Sequence, residues 1–262
     1  FIFSKMADEK LSFDTALALA QKEGFAEPDP TFDISGQDAA QKTSILATLS
    51  FFQNSSMEKV YFEGIDKISP DDIDYGKQLN FVLKPLSVGM QNKDQITLGS
   101  FPAFVKTDSL LASIQNENNA VLVNAENVGG TMYSGPGAGA KPTANSVLSD
   151  VIDIARGKIF DYGKFVEQNL SSSFDNFSCD RYLKLQVNDK PGVVAKISTL
   201  LAKNNLSIDN LIQKELERSD DQIPLVMVLS NSDETTIQET VKELEALDEV
   251  SGPLTHIRIL DI

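Results

Sequence analysis

The stretch from residue 182 onward constrains the fold most, because its hydrophobic periodicity switches repeatedly between two patterns. Tyr182-Leu-Lys-Leu-Gln-Val187 alternates with the period of a half-buried strand. Asn188-Asp-Lys-Pro-Gly192 reads as a turn, and Val193 to Asn204 as a helix. Strands near Leu206–Lys214 and Pro224–Ser230 follow, then a helix from Asp233 to Leu247 and a strand at Thr255–Leu260. The order is βαββαβ, which builds a four-stranded sheet with both helices on one face. Such a sheet must still cover its other face and its edges, and this predicts pairing with a second copy of the chain.

Upstream, residues 1–160 mix helical and strand patterns, and 161–181, with Ser171-Ser172-Ser173 and scattered Asn and Asp, reads as a connector. Phe13 to Glu23 carries Ala16, Leu17, Leu19 and Ala20 and predicts a helix stopped at Gly24. Pro28 and Pro30 bar a regular helix over residues 25–35. A second helix is expected from about Gln37 to Phe52, with Ser35 and Asp38 as a capping-type signature. Strands are expected around Gln95–Leu98 and Ala120–Asn124, and the glycine-rich Gly135-Pro-Gly-Ala-Gly-Ala140 leads into a helix near Pro142 and Thr143. The fold class is therefore α+β: a domain with a mixed or antiparallel sheet covered by helices (1–160), followed by a ferredoxin-like unit (182–262).

The second helix carries an unusual pair. At about 100° per residue, Ile45, Leu46, Leu49 and Phe52 share one face, and Asp38 and Lys42 project onto it, whereas Thr43, Ser44, Ala47 and Ser50 form the opposite, solvent-like side. That phase predicts an inward-facing carboxylate and ammonium, four residues apart. Burying such a pair costs several kcal/mol in desolvation, so inward charges point to a site rather than to stability. An ordinary surface i,i+4 salt bridge is the competing reading. Just upstream, Glu27, Asp29 and Asp33 sit on a loop stiffened by two prolines. Three carboxylates and a lysine suit a small polar substrate bearing an ammonium group. A divalent metal is compatible with this loop, but nothing in the spacing selects one, and one Cys with one His rules out a Cys/His zinc cluster.

Charge narrows the partners. Against 23 basic residues stand 38 acidic ones, a formal net charge of -15, which repels nucleic acid and anionic lipid. No apolar run approaches the roughly 18–20 residues that span a bilayer. The single cysteine, Cys179, has no internal disulfide partner and fits a cytoplasmic setting. Phe1 opens the chain inside an apolar run, which suggests that its beginning is missing.

Gly24-Phe-Ala-Glu-Pro-Asp-Pro30, Asp33-Ile-Ser-Gly36 and Asp38-Ala-Ala-Gln-Lys42 together closely resemble the signature region of homoserine dehydrogenases. Tyr133-Ser-Gly-Pro-Gly-Ala-Gly-Ala-Lys-Pro-Thr-Ala144, running into Ser149-Asp150, is similar to that family's second signature. The resemblance covers residues 1 to about 155. It implies NAD(P)-dependent interconversion of homoserine and aspartate 4-semialdehyde, on the route to threonine, methionine and isoleucine. It further implies that Glu27, Asp33 and Phe25 line the substrate site, Glu27 through the substrate amino group. Lys42 would act at the carbonyl oxygen with Asp38 holding its ammonium in place. Phe25 stands where many members carry Tyr, so any hydroxyl contact there is lost or replaced. Gly135, Gly137, Ala138 and Gly139 would lie against the cofactor, NADP or NAD, although the same run also reads as a plain turn before a helix. No strand–helix unit with a glycine fingerprint opens the chain, so the resemblance implies a fragment without its nucleotide-binding domain, unable to turn over alone.

The C-terminal unit resembles an ACT domain, a small amino-acid-binding regulatory module. That implies an effector site at Asn188, Asp189, Gly192 and Val193, with threonine as the expected effector and a homodimer or homotetramer as the assembly. A purely structural module is the alternative. For the chain as a whole, the competing class is a non-catalytic amino-acid sensor that has kept a substrate domain. His256 in the last strand is expected to be a structural histidine with its hydrogen bonds satisfied.

Overall fold

A computed structural model describes residues 1–52, 54–92, 95–158, 171–213 and 222–262. The first half of the expected connector and Lys214 therefore lie outside the described residues.

Two helices open the fold. α1 (Ile2–Glu9) buries Phe3 and Met6, and α2 (Phe13–Glu23) starts at Ser12, whose hydroxyl accepts from the Thr15 N–H, and stops at Gly24. Pro30 then leads into the single turn α3 (Thr31–Ile34), followed by α4 (Gln37–Phe51). β1 (Tyr61–Phe62) precedes α5 (Pro70–Gln78), whose Ser69 and Asp72 form a reciprocal capping box with Pro70 in the first turn. A long hairpin follows: β2 (Phe81–Asn92) pairs antiparallel with β3 (Gln95–Lys106) from Phe81↔Lys106 to Asn92↔Gln95. A second hairpin, β4 (Asn118–Ala125) and β5 (Gly129–Pro136), forms its own two-stranded sheet and feeds α6 (Ala140–Ala155). β6 (Ser171–Ser172) is short; β7 (Ser178–Asn188), α7 (Val193–Lys203), β8 (Ile208–Gln213), β9 (Gln222–Asp233), α8 (Glu234–Glu245) and β10 (Val250–Leu260) complete the chain.

The βαββαβ unit is present with strand order β10-β7-β9-β8, but it does not stand apart. β10 pairs in parallel with β3, Arg258↔Ala103 through Leu260↔Val105, so one sheet runs β1-β3-β10-β7-β9-β8 through both halves. The helices α7 and α8 cover one face through Ile197, Leu201, Ile237 and Leu244 against Leu183, Leu185, Leu225 and Met227. The expectation that the second face would await another copy is not met. Tyr182, Val226, Val228, Ile257 and Ile259 pack there against Phe3, Met6, Ile73 and Phe104 of the first half. Intramolecular burial, at about 1.5–3 kcal/mol for each large side chain, removes the reason given for pairing through that face.

The facing of α4 is the reverse of the sequence expectation. Ala40, Thr43 and Ala47 are buried against Val60, Ile96 and Leu98, whereas Ile45, Leu46, Leu49 and Phe52 are exposed. Small side chains at 40, 43 and 47 let the helix backbone approach the β2–β3 hairpin closely, and that packing outweighs the pull of the larger residues. Gly36, not Ser35, occupies the N-cap at φ 86°, but the Ser35 hydroxyl beside it accepts from the Gln37 N–H of the first turn at 3.4 Å. Among the described residues no helix is long and apolar enough to cross a membrane.

Candidate functional site

The acidic loop is held by local hydrogen bonds. The Gln21 amide donates to the carbonyls of Glu27 and Pro28 at 3.0 and 3.1 Å, and the Glu27 N–H donates to Asp33 Oδ2 at 3.1 Å. Asp29 accepts from the N–H and hydroxyl of Thr31, which turns the chain into α3 and draws the Asp29 carboxyl below its usual range. Glu27 and Asp33 are thus brought together, with both side chains at the surface. Phe25, at the edge of exposure, packs its ring 4.9 Å from that of Phe1.

Lys42 Nζ donates to Asp38 Oδ2 at 2.6 Å, so the pair forms as expected. It does not face the interior: the Lys42 side chain is 66% exposed and that of Asp38 35%. The reversal of α4 accounts for this, since both residues lie on the face that turned outward. The pair therefore carries no buried-charge penalty, and its meaning rests on accessibility to a ligand rather than on desolvation.

Gly135 is the penultimate residue of β5, while Gly137, Ala138 and Gly139 form the exposed loop before α6. The Gly137 N–H donates to the Glu117 carbonyl at 2.9 Å. Gly139 takes φ 115° as the N-cap of α6, whose first turn carries Lys141 and no acidic residue. The root of this loop and the acidic loop lie on one side of the fold, because Phe1 reaches both: its amino group donates to the Asn116 carbonyl at 2.9 Å while its ring meets Phe25.

At the β7–α7 turn, Gly192 is the N-cap of α7 at φ 94° and Asp189 is exposed. The Asn188 N–H is taken by the Glu249 carbonyl and the Val193 N–H by that of Lys190, at 2.9 and 3.4 Å. The Val193 side chain is buried in the core under α7, so only its backbone faces the turn.

The largest polar cluster escaped sequence reasoning. Arg258 on β10 is fully buried and binds Glu63 with both terminal nitrogens at 3.0 Å. It also binds Glu234, at the start of α8, at 2.6 and 3.2 Å, and Arg181 on β7 reaches Glu234 at 3.0 Å. The Arg258 guanidinium lies over the rings of Tyr61, Phe101 and Phe174, 4.4–5.3 Å from their centroids. Two arginines and two carboxylates balance in charge. Burial works to raise the Glu63 carboxyl, but hydrogen bonds and charge from Arg258 outweigh it and hold it below its usual range. Burial pushes the Tyr61 phenol well above its usual range, and its hydroxyl donates to Glu63 in a short contact. His256, on the same strand, differs from expectation: its Nε2 is shut off from solvent and, among the described residues, has no hydrogen-bond partner. Burial, reinforced by Arg258 and Arg181, pushes it down to about 3. One signal was available, since His256 and Arg258 alternate with Ile257 and Ile259 in a strand that reads as buried on both faces.

Together these features define an α+β chain in which a surface Asp–Lys pair and a carboxylate loop belong to one half and a ferredoxin-like module is sewn into the same sheet. Residues 1–152 match the family model described as homoserine dehydrogenase, and residues 181–249 match that of the ACT domain. The homoserine dehydrogenase of Pseudomonas aeruginosa is 37% identical over 99% of this chain and 62% of its own length; that of Bacillus subtilis is 34% identical over 96% and 60%. The crystal structure of a homoserine dehydrogenase from Thiobacillus denitrificans superposes on all of this chain and 61% of its own with a TM-score of 0.90 at 33% identity. The chain belongs to the homoserine dehydrogenase family, and it spans about 62% of the length of these relatives.

Proposed function

We propose that these 262 residues form the substrate-binding and regulatory part of a homoserine dehydrogenase acting on homoserine and aspartate 4-semialdehyde in the cytoplasm. The observation that carries this reading is the accessible Lys42 ammonium, held by Asp38 at 2.6 Å on the helix that follows the Glu27–Asp33 loop. In this reading the Glu27 and Asp33 carboxylates receive the substrate ammonium, and Lys42 donates a hydrogen bond to the oxygen that gains negative charge on reduction. Asp38 fixes where that donor points. Phe25 supplies an apolar wall beside the loop.

The glycine loop fits the anionic part of a dinucleotide. Its backbone is open at Gly135 and Gly139, where an added side chain would meet almost nothing, and the uncapped start of α6 with Lys141 favours an anion. Gly135, Gly137, Ala138 and Gly139 would hold NAD or NADP there, and the cofactor would supply the hydride. The exposed apolar residues of α4, Ile45, Leu46, Leu49 and Phe52, are assigned to contact with a nucleotide-binding unit. The turn at Asn188, Asp189, Gly192 and Val193 is assigned to an amino-acid effector, threonine in the first instance, acting within a homodimer or homotetramer.

Titration calorimetry with L-homoserine tests the substrate assignment on this chain. Lys42→Ala and Glu27→Ala each remove a charge-assisted contact of about 1.5–3 kcal/mol, so binding weakens about 10- to 100-fold. Threonine binding without any homoserine binding would instead favour an amino-acid sensor.

A further inference from the structure

The acidic loop and α4 are not placed by their own hydrogen bonds alone. Two glycines interlock the segment between them with the segment after β1. An added side chain at Gly36 would lie 2.5 Å from the Glu63 carbonyl oxygen, and one at Gly64 would lie 2.8 Å from the Ile34 carbonyl oxygen. The Ile65 N–H donates to that same Ile34 carbonyl at 2.9 Å. Gly36, at φ 86°, is the residue from which α4 springs, with Asp38 in its first turn. The backbone of residues 63–65 is therefore the seat on which α3 ends and α4 begins.

What holds that seat comes partly from β3 and partly from the other half of the chain. The Glu63 N–H is tied to Ser100 on β3 at 2.9 Å, and its carboxylate is gripped by both terminal nitrogens of Arg258. Arg258 is locked in turn by Glu234 and by the three aromatic rings. A bidentate guanidinium–carboxylate pair fixes both distance and plane, which a lysine in the same place would not do.

We propose that Arg258 is a positioning residue for the substrate site: acting through Glu63, it sets the seat of Gly36 and so the placement of Asp38 and Lys42. The proposal rests on the reading of Lys42 and Glu27 as substrate contacts. It makes the C-terminal module a structural part of the substrate site, in addition to any effector it binds. The guanidinium is held on several sides at once, by Glu63, Glu234 and the Tyr61 hydroxyl.

Three variants of this chain test it. Arg258→Lys and Glu63→Gln both break the bidentate grip, whereas Arg181→Lys disturbs the same network at Glu234 without touching Glu63. In Arg258→Lys and Glu63→Gln the amide resonances of Gly36 and Asp38 shift, and homoserine affinity falls by about tenfold or more. In Arg181→Lys the protein melts earlier, but those amides and the affinity stay within about twofold of the parent. If Arg258→Lys and Glu63→Gln leave the Gly36 and Asp38 amides in place, or alter them no more than Arg181→Lys does, the proposal is overturned. The amide readout decides this whether or not homoserine binds. Loss of the substrate reading shows separately, as homoserine affinity that ignores Lys42→Ala and Glu27→Ala.

Discussion

His256 gives the sharpest quantitative test, because it is the chain's only histidine. Its Nε2 is buried without a hydrogen-bond partner among the described residues, beside two buried arginines with Glu63 the nearby opposing charge. Its pKa is pushed down to about 3, against 6.5 for the free side chain. A folded pKa below the unfolded one means that acid favours the unfolded chain. Above pH 6.5 both states are neutral and nothing is lost; between 6.5 and 3 the unfolded chain takes up a proton that the folded one refuses. At about 1.36 kcal/mol per pH unit, moving from pH 7 to pH 5 costs about 2 kcal/mol, or roughly 4–8 °C in Tm for a chain of this size. Carboxylates held below their usual range, such as Glu63 and Glu234, contribute the same sign but mainly below about pH 5. Urea unfolding of the parent and of His256→Gln at pH 7 and pH 5 isolates the histidine as the difference between the two slopes. The imidazole resonance of the native protein checks it directly. Equal slopes, or a native midpoint between about 6 and 7, would refute the reasoning.

Two further outcomes follow from the shared sheet. Glu234→Ala leaves Arg181 and Arg258 facing each other without their common carboxylate, so stability falls by about 3–5 kcal/mol, roughly 6–20 °C in a melting curve. Deleting residues 255–262 removes the pairing of β10 with β3, its pairing with β7 beyond Ser251, and the buried Ile257 and Ile259. The product is expected to lack a cooperative thermal transition, and a sharp melt for the 254-residue remainder would show that the module is dispensable to the fold.

The C-terminal unit was legible because strand β7 and helices α7 and α8 each have one apolar set on the period of their element, and β9 is a continuous apolar run. What the local pattern could not show is that the second face of the sheet is also buried, by residues such as Phe3, Met6 and Phe104 far away in the chain. The helix α4 shows the opposite failure. Its period was right, but counting large apolar residues chose the wrong side, because Ala40, Thr43 and Ala47 are buried by virtue of being small. The helix α2 and its stop at Gly24 are set by local chemistry and legible, whereas the helical turn α3 at Thr31–Ile34 is not, because Pro30 stands at its N-cap and starts a turn there instead of barring one. The Arg258–Glu63 pair joins residues 195 positions apart, and no window of sequence contains it.

The pairing of β3 with β10 also fixes a schedule. Val105 meets Leu260, so the middle of the sheet cannot close until about 150 residues beyond β3 have been made. During synthesis the ribosome releases the β2–β3 hairpin long before β10 exists, with the edge of β3 that meets β10 unpaired and Phe101 without its ring partners Phe174 and Phe177. Contacts of such long range slow folding, and the waiting hairpin is the segment on which a chaperone would be most valuable.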